Sequence, residues 1–137
     1  MKVRKHTYSD EDWQLIKTIC QNCGSKTIKQ TFGYLQRLAY FDKSKLLFRI
    51  FDETAFFAGT LNKNHIRVIA IAVSQNGQRK GMGRAIMYRV MKRARMHGIS
   101  EITLRTSKTE QGLYFWRALG AVITGEKGAD WEMKLKF

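Results

Sequence analysis

The stretch VIAIAVSQNGQRKGMGRAIMYRVM, residues 68–91, most constrains how this chain folds. An unbroken apolar run ends at Ser74. A glycine-spaced basic turn follows. Beyond it, Ile86, Met87, Val90, Met91 and Ala94 recur at helical spacing. The apolar run reads as a buried strand over 65–73, and the stripe as an amphipathic helix over 83–97 ended by Gly98. Residues 101–106 alternate and read as the next strand. Strand, helix and strand joined by short connections make a β-α-β unit, which places two strands parallel in one sheet.

The flanking sequence supplies the rest of an α/β domain. Residues 2–7 read as a short edge strand. Ser9 can cap a helix whose first turn carries Asp10, Glu11 and Asp12, and Trp13, Ile16, Ile19 and Cys20 share one face, so a first helix is expected over 10–22. Ile28, Phe32, Leu35 and Ala39 predict a second. Residues 46–51, 54–61 and 65–73 read as strands of an antiparallel meander, with Asn62-Lys63-Asn64 as a hairpin signal. Residues 111–119 read as a short helix. Residues 121–124 and 131–137 read as closing strands, with Gly125-Glu126-Lys127-Gly128 as their turn. There is no repeat or interdomain linker, so residues 1–137 are expected to form one domain.

A strand that ends where a helix begins gathers unsatisfied backbone N–H groups, and the helix dipole adds partial positive charge. Gly81 and Gly83 lack Cβ atoms, which lets phosphate oxygens approach the backbone. Arg79, Lys80 and Arg84 add full charges around them. The same residues also make an ordinary glycine turn with a solvated basic cap. The pattern is neither a Walker A loop, since no G-K-[ST] follows, nor the dinucleotide G-x-G-x-x-G.

The formal net charge of +14 on 137 residues predicts attraction to polyanions. Nucleic acid, an acidic protein surface and a phosphate-rich small molecule all fit, as does a surface whose charge serves solubility. Arg89, Lys92, Arg93 and Arg95 form one basic face, and Lys26, Lys29, Arg37, Lys43 and Lys45 add to it. Cys20 and Cys23 are spaced C-x-x-C. A zinc site needs about four ligands, and no second Cys/His pair lies nearby, so no metal is expected and the thiols read as reduced and structural. The N-terminus MKVRKHTYSD holds no apolar stretch, and no run approaches a membrane span; a cytoplasmic chain without membrane contact is expected.

The order of strand, Q-x-x-G-x-G turn, amphipathic helix, strand and Phe115-Trp116-Arg117-Ala118-Leu119-Gly120 resembles the GNAT N-acetyltransferase superfamily. The likeness is best over residues 56–121. It implies a mixed, mainly antiparallel central sheet with helices on both faces and a splayed pair of parallel strands. It further implies acetyl transfer from acetyl-CoA to an amine by direct attack, with no covalent enzyme intermediate. Gln78, Gly81 and Gly83 match the fixed positions of the turn that binds the pyrophosphate, with Met82 between them. Ile71, Ala72 and Val73 match the strand end along which the pantetheine arm lies. The backbone N–H near Val73 matches the oxyanion donor.

Two positions depart from the family pattern. Its F-Y-x-x-L-G segment often carries a tyrosine that protonates the leaving thiolate; here Trp116 stands in that place, and an indole N–H is not a useful acid. Tyr114, two residues earlier, stands with His65 and Ser107 as a candidate catalytic residue, and Trp116 as a candidate cofactor contact. Some members carry a glutamate base where this chain has Arg67; His65 shares that strand face and can accept a proton, and Arg67 itself suggests an anionic acceptor. Ser107, beyond the second parallel strand, can hydrogen-bond cofactor or acceptor. Two rival readings stand beside the transferase. One is a basic nucleic-acid-binding protein in which residues 26–38 belong to a helix-turn-helix. The other is a degenerate GNAT fold that binds CoA without turnover.

Overall fold

The computed structural model describes residues 1–78 and 81–137, with the backbone alone for Gln78. Arg79 and Lys80, expected above to ring the glycine turn, lie outside the described residues. The seven strands are β1 (Val3–Lys5), β2 (Leu46–Phe51), β3 (Ala55–Leu61), β4 (Ile66–Val73), β5 (Glu101–Ser107), β6 (Val122–Lys127) and β7 (Asp130–Lys136). They form one sheet in the order β1-β2-β3-β4-β5-β7-β6. Every described pairing is antiparallel except β4 with β5. Helices α1 (Asp10–Asn22) and α2 (Lys26–Phe41) cover one face, and α4 (Met82–Met96) and α5 (Gly112–Ala118) the other.

Local chemistry sets the helix ends. The Ser9 hydroxyl accepts from the Asp12 N–H at 3.2 Å and caps α1. Gly24, at φ +81°, lets the chain leave that helix. Ile16, Ile19 and Cys20 of α1, with Leu35 and Ala39 of α2, pack on Phe48, Phe56 and Ala72 of the sheet. Cys23 is buried in the same layer. On the opposite face Ile86, Met87 and Met91 of α4 pack on Phe57, Val68 and Ile102.

β4 carries an irregularity that decides the shape of the sheet. Ala58 of β3 opposes Ala70 and Gly59 opposes Val68, so Ile69 is an extra residue without a partner. Side-chain direction reverses there. Ile66 and Val68 pack with the α4 layer, whereas Ala70 and Ala72, of the same parity, pack with α1 and α2. Such a bulge bends its strand. Gly59 accommodates it: a Cβ there would lie 2.9 Å from the Arg67 carbonyl oxygen.

Two connections differ from expectation. A one-turn helix, α3 (Gln75–Gln78), precedes the glycine turn, closed by the Gly77 N–H on the Ser74 carbonyl at 2.8 Å. Gly77 is the residue that fits, because a Cβ would meet Val73 and Met82. Gly125, Glu126 and Lys127, expected in a turn, belong to strand β6. A shift in the β6–β7 register between Ile123 and Gly125 keeps the ladder going to Lys127, and Gly128, at φ +56°, makes the turn.

At the β1 end, His6 is 4 % exposed in a box of aromatic rings formed by Tyr8, Trp13 and Phe48, with centroids 4.3–4.8 Å away. Its Nδ1 accepts from the Tyr8 N–H at 2.8 Å. Burial pushes its pKa down to about 4, with a smaller opposing effect from Asp12.

Candidate active site

β4 and β5 are in register at only two places, Ile66 with Ile102 and Arg67 with Thr103. From Val68 onward they separate. The bulge at Ile69 lies just beyond the last rung, and a groove of about 790 Å³ fills the opening. Its floor is β4 from Val68 to Val73. One wall is the end of β5, Arg105 to Ser107, with Phe115 and Trp116 of α5. The facing wall is the α1–α2 junction, including Ser25, Thr27, Ile28 and Thr31. Gly81, Gly83 and Arg84 close one end.

That end is the N-terminus of α4. Gly81 is its cap residue at φ +69°, ψ +19°, and as a glycine it offers no side chain to the cap. The Ala85 N–H is the first to bond within the helix, reaching the Gly81 carbonyl at 3.1 Å. The N–H groups of Met82, Gly83 and Arg84 belong to the first turn, where a helix supplies no intrahelical acceptor. The two glycines serve different ends. Gly81 supplies a left-handed conformation, and a Cβ there would meet no described atom within 4 Å. Gly83 supplies clearance for α5, since a Cβ there would lie 3.0 Å from the Phe115 ring. Met82 turns inward, its sulfur accepting from the Thr54 hydroxyl at 3.7 Å.

The structure gathers Ile71, Ala72, Val73, Gly81, Gly83, Arg84, Ser107 and Trp116 at this groove. It does not gather His65 or Tyr114. His65 sits at the β3–β4 hairpin, at the end of β4 away from the α4 N-terminus, with Nε2 3.4 Å from the Asn62 amide. Tyr114 is 73 % exposed on the outer side of α5, because two helical residues turn a side chain about 200° from Trp116. Trp116 is buried, and the Ser107 hydroxyl is 3.0 Å from that of Thr109. The suggestion that Arg67 faces an anionic acceptor gives way to an internal pairing. Its guanidinium donates to Glu132 at 3.1 Å, and Arg105 donates to the same carboxylate at 2.7 Å. Together the two arginines hold Glu132 below the usual carboxylate range.

Glu110, Gly112 and Thr106 are among the groove residues that escape sequence reasoning. Glu110, between β5 and α5, reaches the start of α2. It accepts from the Ser25 hydroxyl at 2.7 Å and from the N–H groups of Lys26 at 3.1 Å and Thr27 at 3.4 Å. Burial alone would raise its pKa; those donors outweigh it and hold the carboxyl below its ordinary value. Gly112 lies against buried Thr106, whose hydroxyl occupies the space a Cβ would need. These contacts span strands and helices and leave no local signature.

β4 keeps its pairing with β3, while its register with β5 is confined to Ile66 and Arg67 among the described residues. Among the described residues no cluster of His, Cys, Asp or Glu can hold a metal ion. No described helix is long and apolar enough to cross a membrane.

A profile of the acetyltransferase (GNAT) domain matches residues 6–120, and the chain belongs to that family of acyltransferases. It superposes on the PaiA N-acetyltransferase of Thermoplasma acidophilum in complex with coenzyme A with a TM-score of 0.79, at 16 % identity over 100 % of both chains. The ribosomal-protein-S18-alanine N-acetyltransferase of Escherichia coli gives 0.73 at 16 % identity, over 98 % of this chain and 92 % of that one. In sequence the chain is 33 % identical over 67 residues to mouse (Mus musculus) N-acetyltransferase family 8 member 3. That segment is 48 % of this chain and spans 30 % of the relative's length.

Proposed function

We propose that this protein transfers an acetyl group from acetyl-CoA to an amine. The observation that carries the proposal is the α4 N-terminus, capped at a glycine that has no side chain to bond into the turn, standing at the end of the groove where β4 and β5 part. The N–H groups of Gly83 and Arg84, the Arg84 side chain and Gln78 would hold the pyrophosphate. The β4 edge at Ile71, Ala72 and Val73 would align the pantetheine arm as an added strand does. The thioester supplies an activated acyl group and a good leaving thiol.

The chain's own contribution is then positioning and electrostatics. A backbone N–H at the end of β4 would face the oxygen that gains charge as the amine attacks. Ser107 stands on the facing wall and can bond either substrate. Trp116 packs beside the thioester region and excludes water. A thiol pKa near 8.5 permits the leaving thiolate to take its proton from water, so a tyrosine at this place is not required. No role falls to His65 or Tyr114 in this arrangement.

The acceptor we favour is an amine on an acidic or nucleic-acid-associated partner. α2 and α4 carry basic residues and no acidic ones, and Lys26, Lys29, Arg37, Arg89, Lys92 and Arg95 make no ion pair among the described residues. Acetyl-CoA should raise the melting temperature, and Gly81→Glu should abolish the rise while leaving the circular dichroism spectrum unchanged. No rise at saturating acetyl-CoA, together with steeply salt-dependent RNA or DNA binding, would instead establish the nucleic-acid-binding alternative. Thiol release with candidate amines separates turnover from binding alone.

A further inference from the structure

A second groove, of about 580 Å³, lies between α4 and the β2–β3–β4 meander. It shares no lining residue with the first. Its floor is apolar, built from Leu47, Phe57, Ile66, Val90 and Ile99. Val90, Arg93, Ala94 and His97 follow one another at i, i+3, i+4 and i+7, so a single stripe of α4 forms one wall. β2 alternates, and Leu47 and Arg49 point to the same side.

The rim has one sign of charge. Arg49, Lys63, Arg93 and His97 line it, and no described Asp or Glu does. Arg49, Lys63 and Arg93 form no ion pair among the described residues. The Arg49 guanidinium donates to the Phe48 carbonyl at 3.1 Å, which leaves most of its five N–H donors to other partners. It is half-buried, and burial, followed by the nearby charge of Arg93, lowers its pKa. Two cations brought together at the lip of an apolar trough repel one another. An anion between them removes that repulsion and fills the donors.

We infer that this groove binds a small amphipathic carboxylate, with its hydrocarbon body on the Leu47–Phe57–Val90 floor and its head between Arg49 and Arg93. The volume falls in the range of small-molecule sites, about 300–1,000 Å³. Planar guanidinium groups bind carboxylate through paired donors, which an ammonium head cannot exploit. The trough is too greasy for a bare inorganic anion to be its whole occupant, and too cationic for a neutral or cationic one.

The test is calorimetric titration with sodium decanoate below its micellar concentration, with CoA present at saturation so that the first groove is filled. Saturable binding at one site per chain is expected, with no response to acetate or decylamine. Arg93→Gln, at an exposed position, should weaken decanoate binding by roughly tenfold or more. Val90→Trp should fill the trough and abolish binding, and both variants should keep the acetyl-CoA melting shift. Absence of saturation up to about 1 mM decanoate would overturn the inference. So would equal binding of decylamine, or decanoate binding indifferent to both variants. Dimerisation that Val90→Trp disrupts would overturn it too, by assigning the trough to a second copy of the chain. None of these failures touches the acetyl-transfer reading, which stands on the other groove.

Discussion

The Ser25 hydroxyl donates a 2.7 Å hydrogen bond to the Glu110 carboxylate, joining residues 85 positions apart across the groove. The same carboxylate receives two backbone N–H groups from the first turn of α2. It therefore completes a helix that the local sequence caps only through Ser25, and it ties the α1–α2 junction to the β5–α5 loop.

Replacing that carboxylate should loosen one wall while leaving the sheet intact. Glu110→Ala is expected to cost roughly 1–2 kcal/mol, from unmet helix N–H donors and lost charge at a helix N-terminus. Hydrogen exchange should quicken at the Lys26 and Thr27 amides and stay unchanged at Phe57. Equal acceleration at both places would show that Glu110 matters globally and does not act as a tie.

Gly81 and Gly98 flank the same helix, and both hold positive φ. A Cβ would meet no described atom within 4 Å at either, so alanine should cost each about 1–2 kcal/mol of backbone strain. Only Gly81→Ala should also weaken acetyl-CoA binding, because only Gly81 borders the groove. Equal loss of affinity in both variants, by titration at matched stability, would dissociate the turn from the cofactor.

Gly112→Ala is expected to destabilise the fold by more than about 2 kcal/mol, since the new methyl meets the Thr106 hydroxyl inside a packed layer. Thr106→Ala in the same chain should recover part of that loss. Denaturant midpoints for the two single variants and the double variant give the coupling. Simple additivity would mean that the backbone, and not Thr106, resists the methyl group.

His6 supplies a pH dependence with a definite sign. Its pKa is about 4 when folded, against 6.5 unfolded. The unfolded chain therefore binds the proton more readily, so the contribution is complete above about pH 6.5 and is lost as pH falls toward 4. The loss over that interval approaches roughly 3 kcal/mol. His6→Gln, which keeps an acceptor for the Tyr8 N–H, should flatten the slope of stability against pH between those values. An unchanged slope would show that another group carries the effect.

Much of the architecture is legible locally. The apolar stripe, the acidic first turn and Ser9 mark out α1 as Asp10–Asn22, and the meander and the β4–α4–β5 unit follow from a change of period. The bulge at Ile69 is not legible, because VIAIAV is apolar on both faces and parity cannot reveal an inserted residue. Glu110 with Ser25, and Glu132 with Arg67, are distant in sequence and join only through the topology. The β6–β7 turn was obscured because glycine marks bulges as readily as turns, and Gly125 does the former. The second groove arises from two faces that each read separately as ordinary amphipathic surface.

With two rungs between β4 and β5, the two halves of the sheet share one short backbone edge and are joined beyond it by side-chain packing. A thioester laid along β4 would then serve as a splint as well as a reactant, stiffening the molecule by the free energy of its own binding. Rigidity, and with it resistance to proteolysis, would rise and fall with the supply of acyl donor.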